Sequence, residues 1–211
     1  MNNFSVNMLK TFECCPAKFY FKYIQRISIP QKLSFFEKGK KIHALANYYL
    51  KGDNIDKLET TLTEEEAQSW LNLKNNTYFQ KQYVSSEYNI SCKIGNFWIG
   101  GRLDALVCDN LDYYILDYKT GSIPQNPESD YQTIVYLLCA DKLLKNYNSL
   151  NFVYIDLKNS RNYEIRLSKE TQQIYENKIN MICEKISNYL YCEAVEHHKK
   201  CEFCEYNKIC F

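Results

Sequence analysis

Residues 100–121, GGRLDALVCDNLDYYILDYKTG, form the stretch of sequence from which the fold can be predicted. Residues 97–108 and 113–118 are rich in Ile, Leu, Val and aromatic side chains, which favour β-strands. Residues 109–112, DNLD, have the composition of a tight turn. The stretch therefore predicts a β-hairpin with a four-residue loop.

Two carboxylates face each other in that hairpin, because its register places Asp104 directly opposite Asp117. Directly opposite residues on antiparallel strands have Cβ atoms about 5 Å apart, so the two charges repel unless a cation lies between them. Side chains alternate along a strand, so Lys119 projects from the same face as Asp117. The same register pairs Cys108 with Tyr113 and Leu106 with Ile115.

An isolated Asp-x-Lys on a strand more often marks a solvated face than a site. Here Asp117 follows the apolar run 113–116, and a buried carboxylate needs a partner or a metal ion. The pattern is consistent with a divalent-metal site able to polarise a phosphate or activate water. Glu87, on the strand before the hairpin, could approach the pair, but we expect it to be a surface carboxylate.

Length, composition and net charge limit the kinds of protein that this chain can be. The 211 residues are enough for one well-packed domain, and the net charge of +1 provides no global basic field for a nucleic acid. No apolar run approaches about 18 residues, and residues 1–10 lack the regions of a signal peptide. We therefore expect a cytoplasmic protein without a membrane partner, in which ten cysteines favour metal ligation over disulfides.

The remaining elements alternate between helical and extended patterns, and no internal repeat or linker divides residues 1–211. Proline inside the first helical stretch predicts a break near Cys14. Helices are predicted over residues 6–23, 34–50, from Thr63 onward, 130–145 and 168–191, and further strands over residues 84–94, 150–157 and 163–167. The predicted core stripe of the last helix is Ile174, Met181, Ile182, Ile186 and Leu190.

Two residues of the 130–145 helix, Gln132 and Tyr136, are spaced i, i+4 and so share one face. The ordinary interpretation is an amphipathic helix, and the functional one is that they face a scissile phosphate or an attacking water. His43 lies in the 34–50 helix, where a lone histidine is more often structural than a metal ligand.

The last eleven residues contain Cys201, Cys204 and Cys210 in the spacing C-x2-C-x5-C, which strongly indicates metal ligation. The best fourth ligand is Cys15, in a Cys-Pro turn, and Cys14 is second. A site of this kind would close a loop of 186 residues (201 − 15) and stabilise the fold. Thiol spacing does not separate iron–sulfur from zinc, and zinc-type ligation by His197 and His198 is a further arrangement. The other cysteines are expected to be small buried hydrophobes: Cys92, Cys108, Cys139, Cys183 and Cys192.

Taken together, these motifs resemble the RecB-like branch of the PD-(D/E)xK nucleases, whose members carry a four-cysteine iron–sulfur clip. The chain is most similar to AddB-type nuclease domains and to CRISPR-associated RecB-like exonucleases. Six elements match in order along most of the chain: Cys15-Pro16, Gly39 to His43, Gly101-Arg102-Leu103-Asp104, Asp117-Tyr118-Lys119, Gln132 to Tyr136, and the three terminal cysteines.

The resemblance implies an α/β restriction-endonuclease-like core, with a mixed sheet flanked by helices and a metal cluster joining the N- and C-terminal segments. It implies Mg²⁺ or Mn²⁺ as cofactor beside a [4Fe-4S] cluster, for which Zn²⁺ is the alternative. The implied metal ligands are His43, Asp104, Asp117 and the Tyr118 carbonyl. Lys119 would orient the attacking water or stabilise the transition state, with Gln132 and Tyr136 supporting the site.

The implied substrate is single-stranded or end-frayed DNA. The strand could follow the basic side of the first helix and Lys38, Lys40 and Lys41. No phosphate-binding G-x-x-x-x-G-K-[ST] loop occurs, so unwinding would need a helicase partner.

Three other interpretations stay open. The chain could be a CRISPR adaptation nuclease that trims DNA ends with an integrase, a DNA-binding module with vestigial carboxylates, or a zinc-ribbon interaction protein.

Overall fold

The computed structural model describes residues 2–30, 37–190 and 199–210. Its centre is a mixed six-stranded sheet. The strands are β1 (Asn3–Ser5), β2 (Gln82–Ile94), β3 (Phe97–Asp109), β4 (Asp112–Lys119), β5 (Ser149–Asp156) and β6 (Arg161–Arg166). Their order is β1-β3-β4-β5-β6, and β2 also pairs with β3. The β1–β3 and β4–β5 pairs are parallel, whereas β2–β3, β3–β4 and β5–β6 are antiparallel.

The predicted hairpin is formed by β3 and β4. The pairs Cys108–Tyr113 and Leu106–Ile115 are confirmed, but the loop is shorter than predicted because Asp109 pairs with Asp112. Asn110 makes the tighter turn possible with a φ of 55°, in the left-handed region that asparagine tolerates.

The regular pairing of β3 with β4 ends at Ala105 and Leu116, one residue before the two aspartates. There the Asp104 carboxylate accepts a hydrogen bond from the backbone N–H of Tyr118 at 2.9 Å. The side chain of Asp104 is therefore held at the end of the ladder, close to Asp117.

Helices cover both sides of the sheet. They are α1 (Val6–Cys14), α2 (Pro16–Phe19), α3 (Glu37–Leu50), α4 (Asp56–Glu59), α5 (Glu64–Lys74), α6 (Tyr131–Leu143), α7 (Lys169–Ser187) and α8 (Asn207–Cys210). The predicted break is confirmed, since α1 ends at Cys14 and Cys15 is extended before the proline of α2. The Thr63 capping box, in which Thr63 and Glu66 bond reciprocally, begins α5 as predicted.

Two hydrophobic cores lie on opposite faces of the sheet. Leu9 of α1, Ile134 of α6 and Ile179 of α7 belong to the first core, and Ile42 of α3 and Leu73 of α5 to the second. Every residue of β5 is buried, and its consecutive residues Phe152 and Val153 belong to different cores. The α/β class with a mixed sheet between helical layers is confirmed.

The core stripe predicted for the last helix is partly wrong. Ile174, Met181 and Leu190 are 56%, 59% and 86% exposed. The buried residues of α7 are Tyr175, Ile179, Ile182, Cys183 and Ile186. This set repeats at the 3.6-residue period of an α-helix, and it includes Tyr175, Ile179 and Cys183, which are absent from the predicted stripe. The helix also ends at Ser187, before the predicted residue 191.

No helix in these described ranges is long and apolar enough to cross a bilayer.

Close packing joins α6 to β3 at Tyr136, whose hydroxyl donates to the carbonyl oxygen of Arg102 at 2.8 Å. A Cβ atom added to Gly101 would lie 2.7 Å from Cε1 of that tyrosine ring. We therefore expect Gly101→Ala to displace Tyr136 and to lower the free energy of unfolding by about 1–3 kcal/mol, measured by urea denaturation.

Gly121→Ala is the matched control, because an added Cβ there meets no atom within 4 Å. We expect it to leave stability unchanged or slightly increased. Equal stability of the two variants would contradict the packing described for Tyr136.

Candidate active site

His43 of α3 lies between two hydrogen-bond acceptors. Its Nδ1 is 3.1 Å from Oδ1 of Asp104, and its Nε2 is 3.1 Å from the carbonyl oxygen of Tyr118. Both ring nitrogens can satisfy these neighbours only by donating, which requires the doubly protonated imidazolium. Burial opposes that charge, but the hydrogen bond and charge of Asp104, with Asp117 and Glu87 beyond, raise the pKa of His43 overall.

Glu87 completes a group of three metal-binding side chains. Ligand atoms of His43, Glu87 and Asp104 all lie within 4.8 Å of one another. Glu87 has a φ of 48° and its Oε2 is 2.9 Å from Nε of Arg102. The expectation of a surface carboxylate was wrong. In the β2–β3 register, Ser86 lies opposite Ala105 and Tyr88 lies opposite Leu103, so Glu87 lies opposite Asp104. Pairing these two predicted strands in the sequence would have placed Glu87 beside the aspartate.

Asp117 lies beside this group and is 2% exposed. Its Oδ2 is 2.7 Å from Nζ of Lys119, and its Oδ1 accepts a hydrogen bond from the side-chain amide of Gln132. Burial and the nearby charge of Asp104 raise the pKa of Asp117 to about 6, although Lys119 acts in the opposite direction.

Gln132 and Tyr136 have different positions, although both are on α6. Asp130 caps the helix by accepting from the Gln132 backbone N–H at 2.7 Å, and the Gln132 side chain then reaches both Asp117 and Lys119. Tyr136 instead lies behind the site, bonded to the backbone of Arg102. Burial, then the charges of the two aspartates, raises the pKa of Tyr136, so its hydroxyl stays protonated.

The structure thus brings together His43, Asp104, Asp117, the Tyr118 carbonyl, Lys119 and Gln132, all predicted from the sequence, and adds Glu87. Carboxylate and carbonyl oxygens with one imidazole suit a divalent cation such as Mg²⁺ or Mn²⁺. A lysine beside them could stabilise negative charge on a phosphate.

The terminal cysteines pack against the first helices. Cys15, Cys204 and Cys210 contact a small core of Ala17, Phe21 and Tyr206. Burial, then the nearby thiols of Cys15, Cys201 and Cys204, raises the pKa of Cys210. The hydroxyl of Tyr206 donates to the carbonyl oxygen of Ile27 at 2.8 Å, and Lys18 pairs with Glu205 at 2.8 Å.

The remaining cysteines separate into two groups. Cys14 is exposed, whereas Cys92, Cys108, Cys139 and Cys183 are buried as expected. The predictions for Cys192, His197 and His198 lie outside the described residues.

Comparison with known proteins identifies the class to which this fold and site belong. The family model described as the PD-(D/E)XK nuclease superfamily matches residues 3–211. The chain therefore belongs to the PD-(D/E)XK nuclease superfamily, and its sheet and helices are consistent with a restriction-endonuclease-like core. No curated protein sequence matches it.

Solved structures support the fold. A protein from Eubacterium rectale described as a candidate exonuclease is 10% identical, with a TM-score of 0.54, over 92% of this chain and 86% of its own. The protein SSO0001 is 17% identical over 99% of this chain and 85% of its own, and at a TM-score of 0.45 it adds nothing to the fold assignment.

The burial of the charged Asp117 carboxylate lowers the free energy of unfolding. In the folded protein the pKa of Asp117 is about 6, whereas the ordinary value expected in the unfolded chain is 3.8. The metal-free protein therefore loses stability as the pH rises from about 3.8 to about 6. We expect Asp117→Asn to remove this loss and to be more stable than wild type above pH 6, by at most about 3 kcal/mol. Urea denaturation with chelator below pH 4 and above pH 6 measures the difference.

Asp109→Asn is the control, because this carboxylate lies on the same hairpin with 59% of its side chain exposed. Asp109→Asn keeps Asp117, so it should lose stability with rising pH as wild type does. If Asp117→Asn is the less stable protein above pH 6, the ion pair with Lys119 outweighs the cost of burial.

Proposed function

We propose that this chain is a divalent-metal-dependent deoxyribonuclease that hydrolyses phosphodiester bonds at single-stranded or frayed DNA ends. The observation that carries the proposal is the convergence of His43, Glu87 and Asp104 within 4.8 Å, beside the buried pair of Asp117 and Lys119. His43 comes from α3, and the other residues of this group come from the consecutive strands β2, β3 and β4.

The donor set fits Mg²⁺ or Mn²⁺. We assign His43, Asp104, Asp117 and the Tyr118 carbonyl as ligands, and the structure adds Glu87 to the candidates. A bound ion of this kind lowers the pKa of its water and neutralises phosphate charge. Without it, the protons of the His43 imidazolium occupy the space between Asp104 and Tyr118, so metal binding should release protons.

Lys119 is assigned the role of orienting the attacking water or stabilising the charge of the transition state. Its Nζ is 2.7 Å from Asp117 and 3.4 Å from Oε1 of Gln132, and 26% of its side chain is exposed. It is thus held in place while remaining open to substrate. Gln132 acts as a positioning residue for both charged groups, and Tyr136 supports the β3 backbone that carries Asp104.

The substrate assignment rests on the resemblance to RecB-like nucleases, and the description of the Eubacterium rectale protein as a candidate exonuclease agrees with it. A strand-separating helicase or an integrase is the expected kind of partner. Because the net charge is +1, we expect modest DNA affinity that falls with salt.

Degradation of end-labelled single-stranded DNA with Mn²⁺ or Mg²⁺ tests the proposal. We expect Asp117→Ala and Lys119→Ala each to lower the rate by at least about 100-fold, because each removes charge placed at the reacting phosphate. Asp109→Ala, on the same hairpin, should cleave as wild type does. Circular dichroism confirms that each variant is folded.

Two results would contradict the nuclease proposal. One is folded, metal-loaded wild type that leaves single-stranded, frayed and duplex DNA uncut, which would favour a DNA-binding module. The other is cleavage that survives in both site variants.

We also propose that Cys15, Cys201, Cys204 and Cys210 hold a [4Fe-4S] cluster that joins the N- and C-terminal segments of one domain, residues 1–211. The support is the packing of Cys15, Cys204 and Cys210 around one small core, together with the buried thiol of Cys201, which is near enough to raise the pKa of Cys210. The alternative occupant is Zn²⁺. The cluster would be structural, since its thiols pack around Ala17, Phe21 and Tyr206, whereas the carboxylates of the active site lie on β2, β3 and β4.

Cys204→Ser is expected to abolish visible absorbance of anaerobically purified protein and to lower stability by on the order of 3 kcal/mol, because the long loop is no longer closed. Cys14→Ser is the matched control, since this neighbouring thiol is exposed. A colourless wild type containing zinc would overturn the iron–sulfur assignment. Equal loss in Cys14→Ser would make Cys14 a ligand.

A further inference from the structure

Half of one sheet face is open in the described part of the chain. Along β2 and β3, alternate residues Ile90, Cys92, Ile99 and Leu103 are buried in the first core. The side chains between them point to the opposite face, where they are exposed: Asn89, Ser91, Lys93, Trp98 and Arg102. The helices α3 and α5 cover this second face only farther along, over Ala105, Val107 and Leu116.

A groove of about 760 Å³ lies on this open face, and it runs beside β1. Trp98, 51% exposed, lies in its lining, with Lys93 directly opposite on β2. Arg102 is also in the lining and has 65% of its side chain exposed. Among the described residues that line the groove, none is a carboxylate. An aromatic face with basic neighbours and no acidic side chain in its lining suits a nucleic-acid strand. The carboxylate of Glu87, which pairs with Arg102, belongs to the candidate active site at the end of this face.

The groove leads to the candidate active site. Trp98, Gly100 and Arg102 are successive outward positions of β3, and Arg102 contacts Glu87. Trp98 and Asp104 are six positions apart on β3, a distance of about 20 Å along a strand, which spans several nucleotides. Between them Gly100 carries no side chain, and a larger residue would not fit there, since an added Cβ would lie 2.4 Å from the carbonyl oxygen of Ile90.

Other surfaces fit a polyanion less well. A larger cleft of about 900 Å³, beside residues 122–129, is lined by three carboxylates, those of Glu128, Asp156 and Glu164. The basic residues expected to guide the strand are in part neutralised: Lys10 pairs with Asp130, Lys18 with Glu205 and Lys41 with Glu66. The side chain of Lys38 lies outside the described residues.

We propose that the open face of β2 and β3 is the docking track for a single DNA strand, and that Trp98 is a stacking platform for one of its unpaired bases. This inference rests on the proposed nuclease function and specifies how the same site receives its substrate. Bases of a duplex are stacked on each other and cannot reach the tryptophan, so the track selects single-stranded or frayed ends.

Tryptophan fluorescence can test the stacking, because the chain contains two tryptophans and they differ in exposure. Trp70 is buried at 4% exposure and donates to Glu59, so only Trp98 is open to a ligand. Without added divalent metal, titration with a short single-stranded oligothymidylate should quench tryptophan fluorescence, whereas the blunt duplex should not. Trp98→Phe should lose the quenching but keep most of the affinity measured by anisotropy of labelled DNA.

Trp98→Ala should weaken that affinity by about 5- to 150-fold, which corresponds to the 1–3 kcal/mol of a stacked base. Tyr163→Ala is the matched control: it removes a 43% exposed aromatic from the acidic cleft on the same sheet, and should bind as wild type does. Unchanged affinity in Trp98→Ala, equal loss in both variants, or equal quenching by duplex would each overturn the proposal.

These binding results are independent of cleavage. If wild type cleaves DNA while Trp98→Ala binds normally, the track is wrong and the nuclease assignment stands. If Trp98 stacks on DNA but the protein cleaves no DNA with either Mg²⁺ or Mn²⁺, the nuclease assignment fails and the track stands.

Discussion

The site depends on the repulsion between negative charges gathered at the end of one hairpin. Asp117 is 2% exposed and lies near the charge of Asp104, and a carboxylate in such a place is costly unless cations surround it. In the metal-free protein those cations are the lysine one pleat away and the imidazolium of His43. Because these groups only partly compensate, the pKa of Asp117 stays above its ordinary value, and a divalent ion is the partner that would relieve the remaining strain.

The two cores of the protein supply opposite walls of the site. The α3 helix packs on one face of the sheet and delivers His43, while α6 packs on the other and delivers Gln132. Both meet β4 near its end, where Asp117, Tyr118 and Lys119 lie. Among the described residues, α3 leaves the far half of β2 and β3 uncovered on its own face of the sheet, so an exposed strand surface leads toward the carboxylates. Rigid layers thus place the charged groups, and an uncovered part of the same sheet gives access to them.

Sequence patterns were sufficient for most elements, because hydrophobic periodicity and caps act locally. The hairpin register, the break after Cys14 and the Thr63 capping box follow from neighbouring residues alone. Errors arose where distant packing decides. The buried side of α7 is set by the surface against which it packs. The environment of Glu87, which is wrongly predicted to be a surface carboxylate, depends on the pairing of β2 with β3.

The sequence by itself determined the α/β class, the Asp-x-Lys strand, the terminal thiol motif and membership of a nuclease superfamily, because each is written in contiguous residues or their order. Only the folded chain reveals that Glu87 joins His43 and Asp104 and that Tyr136 supports the Arg102 backbone. Those outcomes depend on which surfaces meet across the sheet. Long-range contacts of that kind are set by the packing of the whole core, and no local pattern carries them.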